Sequence, residues 1–133
     1  MTRSFAMCLT ASLAAACATT QGSPPREPVS YGCGETIVVA QFMTVDSEPT
    51  MHIEDDILGH GWFNANLAIH RVLAGALEPD EIPVRYFSHA AYRHDRRFIV
   101  VLRPNPEAPG YVVRSRPVMA GWRLPELVNQ CGA

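Results

Sequence analysis

The sequence predicts an all-β domain of five strands closed by a short C-terminal helix, and three observations carry that prediction. Between Thr36 and Val118 the β-branched and aromatic residues recur with the two-residue period of strands rather than the 3.6-residue period of helices. Gly75 after the second run, Pro104 at the end of the fourth and the turn carrying Arg93 between the third and fourth punctuate those runs. Two cysteines, Cys33 and Cys131, bracket the whole region.

The first strand is "ETIVVAQFMTVD", Glu35 to Asp46, long enough to require a bend. The second lies in "WFNANLAIHRVLAG". There Phe63, Ala65, Leu67 and Ile69 alternate with Asn64, Asn66, Ala68 and His70, which gives one apolar and one largely polar face. The alternation fails at Arg71-Val72-Leu73, predicting a bulge or curl before Gly75. "EIPVRYFS" is the third strand, with Pro83 confining its start to an edge because proline has no N–H for a ladder. "RRFIVVLRP" is apolar on both faces, the pattern of a central strand, and Pro104 ends it. "GYVVRSRPV" is the fifth. "WRLPELVNQCG" then reads as a short helix with Pro125 in its first turn, Leu124, Leu127 and Val128 on one side and Gly132 beyond its end.

Upstream of the domain, Arg3 precedes an uncharged apolar run from Phe5 to Ala16, the layout of a signal peptide and too short to span a bilayer. Small residues lead directly into Cys17. "LAAAC" resembles the lipobox of bacterial lipoproteins, which implies that Cys17 receives a diacylglyceryl group and becomes the new N-terminus. Ala14 stands where that motif carries a branched aliphatic residue, so ordinary signal-peptidase cleavage stays open. The expected organisation is a signal peptide over 1–16, a small, polar and Pro-rich tether over 17–30, and one barrel domain over 31–133. With Ala18 rather than aspartate after the cysteine, the resemblance implies the outer membrane, facing the periplasm, in a Gram-negative host.

Export settles the cysteines. On that expectation Cys8 leaves with the signal and Cys17 is the candidate lipid site, so Cys33 and Cys131 are expected to pair in an oxidising compartment. Closing a loop of about 100 residues contributes on the order of 4–5 kcal/mol in the chain-entropy model. All basic residues are arginine. Without Arg3 the chain keeps ten arginines against thirteen acids, a balance that argues against nucleic acid as a partner.

Five strands, the first long and curled, with a terminal helix stapled back to the start, resemble an OB-fold barrel. "NANLAIHRVLAGALEPDEIPVRYFSH" followed by "DRRFIVVLRP" is similar to the netrin-like, or tissue-inhibitor-of-metalloproteinases-like, OB-fold modules of exported bacterial proteins. The eukaryotic inhibitors chelate zinc through a free N-terminal cysteine. Cys33 is internal, between Gly32 and Gly34, so that chemistry does not transfer.

Three constellations are candidates for function. Arg93, His94, Arg96 and Arg97, with His89 and Tyr92, gather in the turn between strands three and four, where guanidinium forks suit phosphate or carboxylate. This turn is the candidate contact with an anionic envelope component, set against the alternative of ordinary solvated surface charge. His52, Asp55 and His60, with Glu54 and Asp56, form the alternative, a metal-binding or metal-dependent hydrolytic loop. Asn64, Asn66 and His70 form the polar face of strand two. Catalysis has thin support, since Ser30, Ser47, Ser88 and Ser115 sit in no G-x-S-x-G context and no phosphate-cradling glycine loop occurs. No cofactor is expected. The reading is a lipid-anchored binding module of the envelope that contacts the membrane through its N-terminus and an anionic component or envelope protein through its domain.

Overall fold

A computed structural model describes residues 26–48 and 59–132. Eight strands run β1 (Val29–Tyr31), β2 (Thr36–Ser47), β3 (Gly61–Ala74), β4 (Glu81–Ser88), β5 (Arg97–Pro104), β6 (Tyr111–Val113), β7 (Val118–Met119) and β8 (Leu127–Asn129). The five strands expected from periodicity are β2, β3, β4, β5 and β6, the last covering only Tyr111–Val113 of the expected "GYVVRSRPV", whose Val118 falls in the separate β7. They pair in the order β2-β3-β4-β6-β5, and β5 returns to β2, so the sheet closes into a five-stranded barrel. All pairings in the barrel are antiparallel except β4 with β6, which is parallel. Closure removes the free edges that an open sheet of this length would expose.

Curvature comes from the bulges. The β2–β3 register shifts between Ile37 and Val38, between Val39 and Ala40, and between Phe42 and Val45, so the irregularity expected at Arg71 to Leu73 is present and the long first strand is bent as well. Gly75, which ends β3, has φ +80°, and a Cβ there would stand 2.8 Å from the Glu35 carbonyl oxygen, so only glycine serves.

Alternation builds the barrel interior: Val38, Ala40 and Phe42 of β2, Ala65 and Leu67 of β3, Ile82, Val84 and Tyr86 of β4, and Phe98, Val100 and Leu102 of β5. Each fully buried large side chain contributes roughly 1.5–3 kcal/mol of apolar transfer. The other face of β5 is buried too. Ile99 and Val101 pack with Ile37, Val39 and Val29 under Tyr31 and Leu127, a second cluster outside the barrel wall. This is why "RRFIVVLRP" is apolar on both faces.

The outer cluster corrects one expectation. The C-terminal helix does not form; among the described residues there is no helix. Leu127–Asn129 instead lie parallel to Val29–Tyr31, held at the ends by Val29 N–H donating to Glu126 O at 2.8 Å and Gln130 N–H donating to Tyr31 O at 2.8 Å. Proline at 125 disfavours the helical region for Leu124, and a segment this short does not hold a helix without packing. Extended, it delivers Leu127 to the outer cluster. The Cys33–Cys131 disulfide, with Cα atoms 4.8 Å apart, clamps the two strands together. Val29 and Ser30, placed in the tether by the sequence reading, are thus the first residues of β1.

Candidate functional site

Outward-facing residues of β3 and β4 form matched rows: Trp62 opposite Phe87, Asn64 opposite Arg85, Asn66 opposite Pro83 and Ala68 opposite Glu81. Beside them, Asp46 of β2 stands opposite Asn64, and the chain continues to Glu48. On the far side the 105–110 turn rises between β5 and β6, closed by Asn105 N–H donating to Gly110 O at 3.0 Å. Gly110 has φ +106°, and a Cβ there would meet Pro83 O at 2.6 Å, so the turn lies directly against β4.

These elements enclose an open groove of about 540 Å³, lined by Asp46, Glu48, Asn64, Asn66, Arg85 and Asn105 together with Glu107 and Tyr111. Small-ligand sites typically run from about 300 to 1,000 Å³.

Its polar floor is organised around Glu48. Arg85 donates through Nε to Oε1 at 3.1 Å and through Nη2 to Oε2 at 2.7 Å, and Asn64 Nδ2 donates to Oε1 at 3.0 Å. Those bonds, with Arg85 the larger influence, hold the Glu48 carboxyl below its ordinary pKa. The Arg85 guanidinium also lies 4.3 Å over the Trp62 ring. Asn66 Nδ2 donates to Glu81 Oε1 at 3.0 Å. With three carboxylates to one guanidinium, the lining is acidic.

His70, expected on this face, faces Gln41 instead, with its Nε2 3.3 Å from Gln41 Oε1. Gln41 Nε2 in turn donates to the His94 carbonyl.

The arginine turn is tied to the barrel at Tyr92 and at the His94 carbonyl. Tyr92 folds back over the end of the barrel, stacked on Phe42 at 4.9 Å and tilted against Tyr86 at 5.1 Å, while its N–H donates to the Tyr86 hydroxyl at 3.4 Å. Burial pushes the Tyr86 phenol up. Arg93 is held by Asp95 through two bonds, Nε to Oδ1 at 2.8 Å and Nη2 to Oδ2 at 2.5 Å. Arg96 Nε lies 3.9 Å from the same carboxylate. The Asp95 pKa falls accordingly, chiefly through Arg93. Arg97 opens β5, exposed, with its Cα opposite Gln41.

Cys17, His52 and Asp55 lie outside the described residues. His60 is described: its ring stacks on Phe87 at 5.6 Å and meets His89 edge-on at 5.5 Å. The sequence reading put these two histidines in separate constellations, and the fold brings them together beside a second concavity of about 650 Å³ at the β4 end. Among the described residues no group of three or more His, Cys, Asp or Glu stands in an arrangement that holds a metal.

Sequence reasoning singled out Asn64 and Asn66 but missed Glu48, Arg85 and the 105–110 wall. Periodicity shows which face a residue takes; it does not show which loop stands over it.

Fold and site together define a closed five-stranded β-barrel with a disulfide-clamped outer strand pair and a polar groove on its β3–β4 face. Comparison of the chain with protein-family models, with curated proteins and with solved structures finds no match.

Proposed function

We propose that the protein is an exported, lipid-anchored binding module of the cell envelope whose β3–β4 groove takes an uncharged or amino-bearing saccharide chain. The observation that carries the ligand class is the groove's lining. The Asn64, Asn66 and Asn105 amides donate and accept, the Asp46, Glu48 and Glu107 carboxylates accept, and the Tyr111 ring supplies an aromatic surface. Vicinal hydroxyls and amides on a saccharide match that set, while the acidic lining repels sulfate, phosphate or carboxylate ligands. The Cys33–Cys131 disulfide supports export, because such bonds persist in oxidising compartments. Anchoring at Cys17, with placement in the outer membrane of a Gram-negative host, and membership of the netrin-like modules rest on the motifs quoted from the sequence.

Calorimetric titration of the purified protein with short N-acetylglucosamine oligosaccharides and with sulfated counterparts tests the reading. The uncharged series binds, the sulfated series does not, and Asn64→Ala with Asn66→Ala weakens binding about tenfold, the effect of losing roughly one net hydrogen bond. Binding of the sulfated series alone, or no difference between wild type and variant, refutes it.

A further inference from the structure

Six large apolar side chains are exposed among the described residues, and four of them, Val118, Met119, Trp122 and Leu124, fall on the single segment that carries β7 and leads towards β8. Trp122 is 82% exposed and Met119 58%. Scattered apolar residues on a surface are ordinary, whereas four exposed within the seven residues from Val118 to Leu124 are a concentration that calls for a partner.

Arginines accompany it. The Arg123 guanidinium lies 4.2 Å over the Trp122 ring. Arg26 donates through Nη1 to the Arg123 carbonyl at 2.9 Å, and its guanidinium lies against Gly121 in the space a Cβ would occupy. Arg116 is exposed on the same segment. Glu27 and Glu126 offset part of that charge, leaving three cations to two anions.

Where the chain enters indicates what covers this surface. Arg26 sits in the patch itself, and eight residues, 18–25, separate it from Cys17. Fully extended, that stretch spans about 30 Å. With the lipid anchor of the proposed function, on which this inference rests, the patch is confined within about that distance of a bilayer, where even weak contacts act at high effective concentration. Tryptophan suits the boundary between headgroups and acyl chains, and arginine suits phosphate.

We propose that Met119, Trp122 and Leu124, flanked by Arg26 and Arg123, form a membrane-docking face that seats the barrel on the phospholipid surface to which Cys17 attaches. The face shares no residue with the β3–β4 groove. Docking therefore orients the domain without using the ligand-binding residues.

The chain has two tryptophans, so Trp62→Phe leaves Trp122 as the sole reporter, and Trp122→Phe in the otherwise wild-type protein gives the same signal by difference. Full-length protein carrying its native N-terminus is reconstituted into phosphatidylethanolamine–phosphatidylglycerol vesicles with and without brominated acyl chains. Trp122 emission shifts to the blue, loses most of its intensity to brominated lipid and becomes shielded from iodide. The double substitution Met119→Ser, Leu124→Ser abolishes these changes while the protein still floats with the vesicles. Flotation with Trp122 open to iodide and untouched by brominated lipid leaves the anchor standing and overturns docking. Protein that lacks an acyl group and does not float overturns the anchor; docking is then read on it by titration to high lipid, where a blue shift supports the face and its absence refutes it. Shielding of Trp122 that grows with protein concentration in the absence of lipid assigns the patch to contact between copies and overturns the membrane reading.

Discussion

Glu48 accepts from Arg85 twice and from Asn64 once, so one carboxylate fixes the floor of the groove. Because its folded pKa lies below the unfolded value, its contribution to stability is fully present above the ordinary carboxylate range and disappears as pH falls through the folded pKa. Glu48→Gln is therefore expected to melt lower than wild type at pH 7, with the two melting curves converging as pH falls below the ordinary carboxylate range. A constant gap in thermal melts across that range refutes the assignment. Asp95 obeys the same sign, and its partner is Arg93. Asp95→Asn releases the Arg93 fork, so if the turn contacts an anionic envelope component, Asp95→Asn strengthens salt-sensitive binding to anionic vesicles, and Arg93→Ala, Arg96→Ala, Arg97→Ala together remove it. Co-sedimentation over a salt series decides, and a triple variant that folds and binds like wild type removes the turn from the contact. Tyr92 has a different task. Half-buried on Phe42, Tyr86 and Phe98, it seals the barrel end, and Tyr92→Ala is expected to cost about 2–3 kcal/mol in urea unfolding, less than a fully buried aromatic ring. Tyr92→Phe retains nearly all of it.

At the scale of elements, the parallel pair β1–β8 has three residues on each side, too few to persist alone. It holds because Leu127 and Val29 close the outer cluster over β2 and β5 and because the disulfide clamps Cys33 to Cys131 across a sequence separation of 98. Cys131→Ser is expected to lower stability by about 4–5 kcal/mol on the chain-entropy model. Non-reducing peptide mapping of the wild type and chemical denaturation of both proteins check the bond and its weight. Loss of β1–β8 leaves the barrel's own closure intact, so the variant should keep its β-sheet circular dichroism while Ile99 and Val101 become accessible. The 105–110 turn is the other element on which the site depends. Gly110→Ala opposes both the left-handed backbone and the Pro83 carbonyl, so it should displace the groove wall and weaken saccharide binding more than it lowers the melting temperature.

For the whole molecule, the proposed function makes barrel, tether and anchor a domain held near a surface. Two or more acyl chains are needed for stable attachment. On the anchored reading, wild-type protein fractionates with membranes and Cys17→Ser is soluble or uncleaved, as fractionation and mass spectrometry of the N-terminal peptide will show. Equal amounts of both proteins in the soluble fraction refute lipidation.

The five barrel strands were legible in the sequence because period-two alternation is a local property, written residue by residue in "FNANLAI" and "EIPVRYFS". The bulge before Gly75, the central place of β5 and the pairing of Cys33 with Cys131 follow from equally local or countable features. Only the tertiary structure decided that "LVN", Leu127–Asn129, is a strand, since its helical pattern was outweighed by an outer apolar cluster waiting for Leu127 and by a partner strand almost a hundred residues away. It alone decided that Glu48, Arg85 and the 105–110 turn meet around Asn64, and that His60 meets His89. Such meetings are set by closure of the barrel, which brings distant segments to one face, and no local pattern in the chain records which segments those will be.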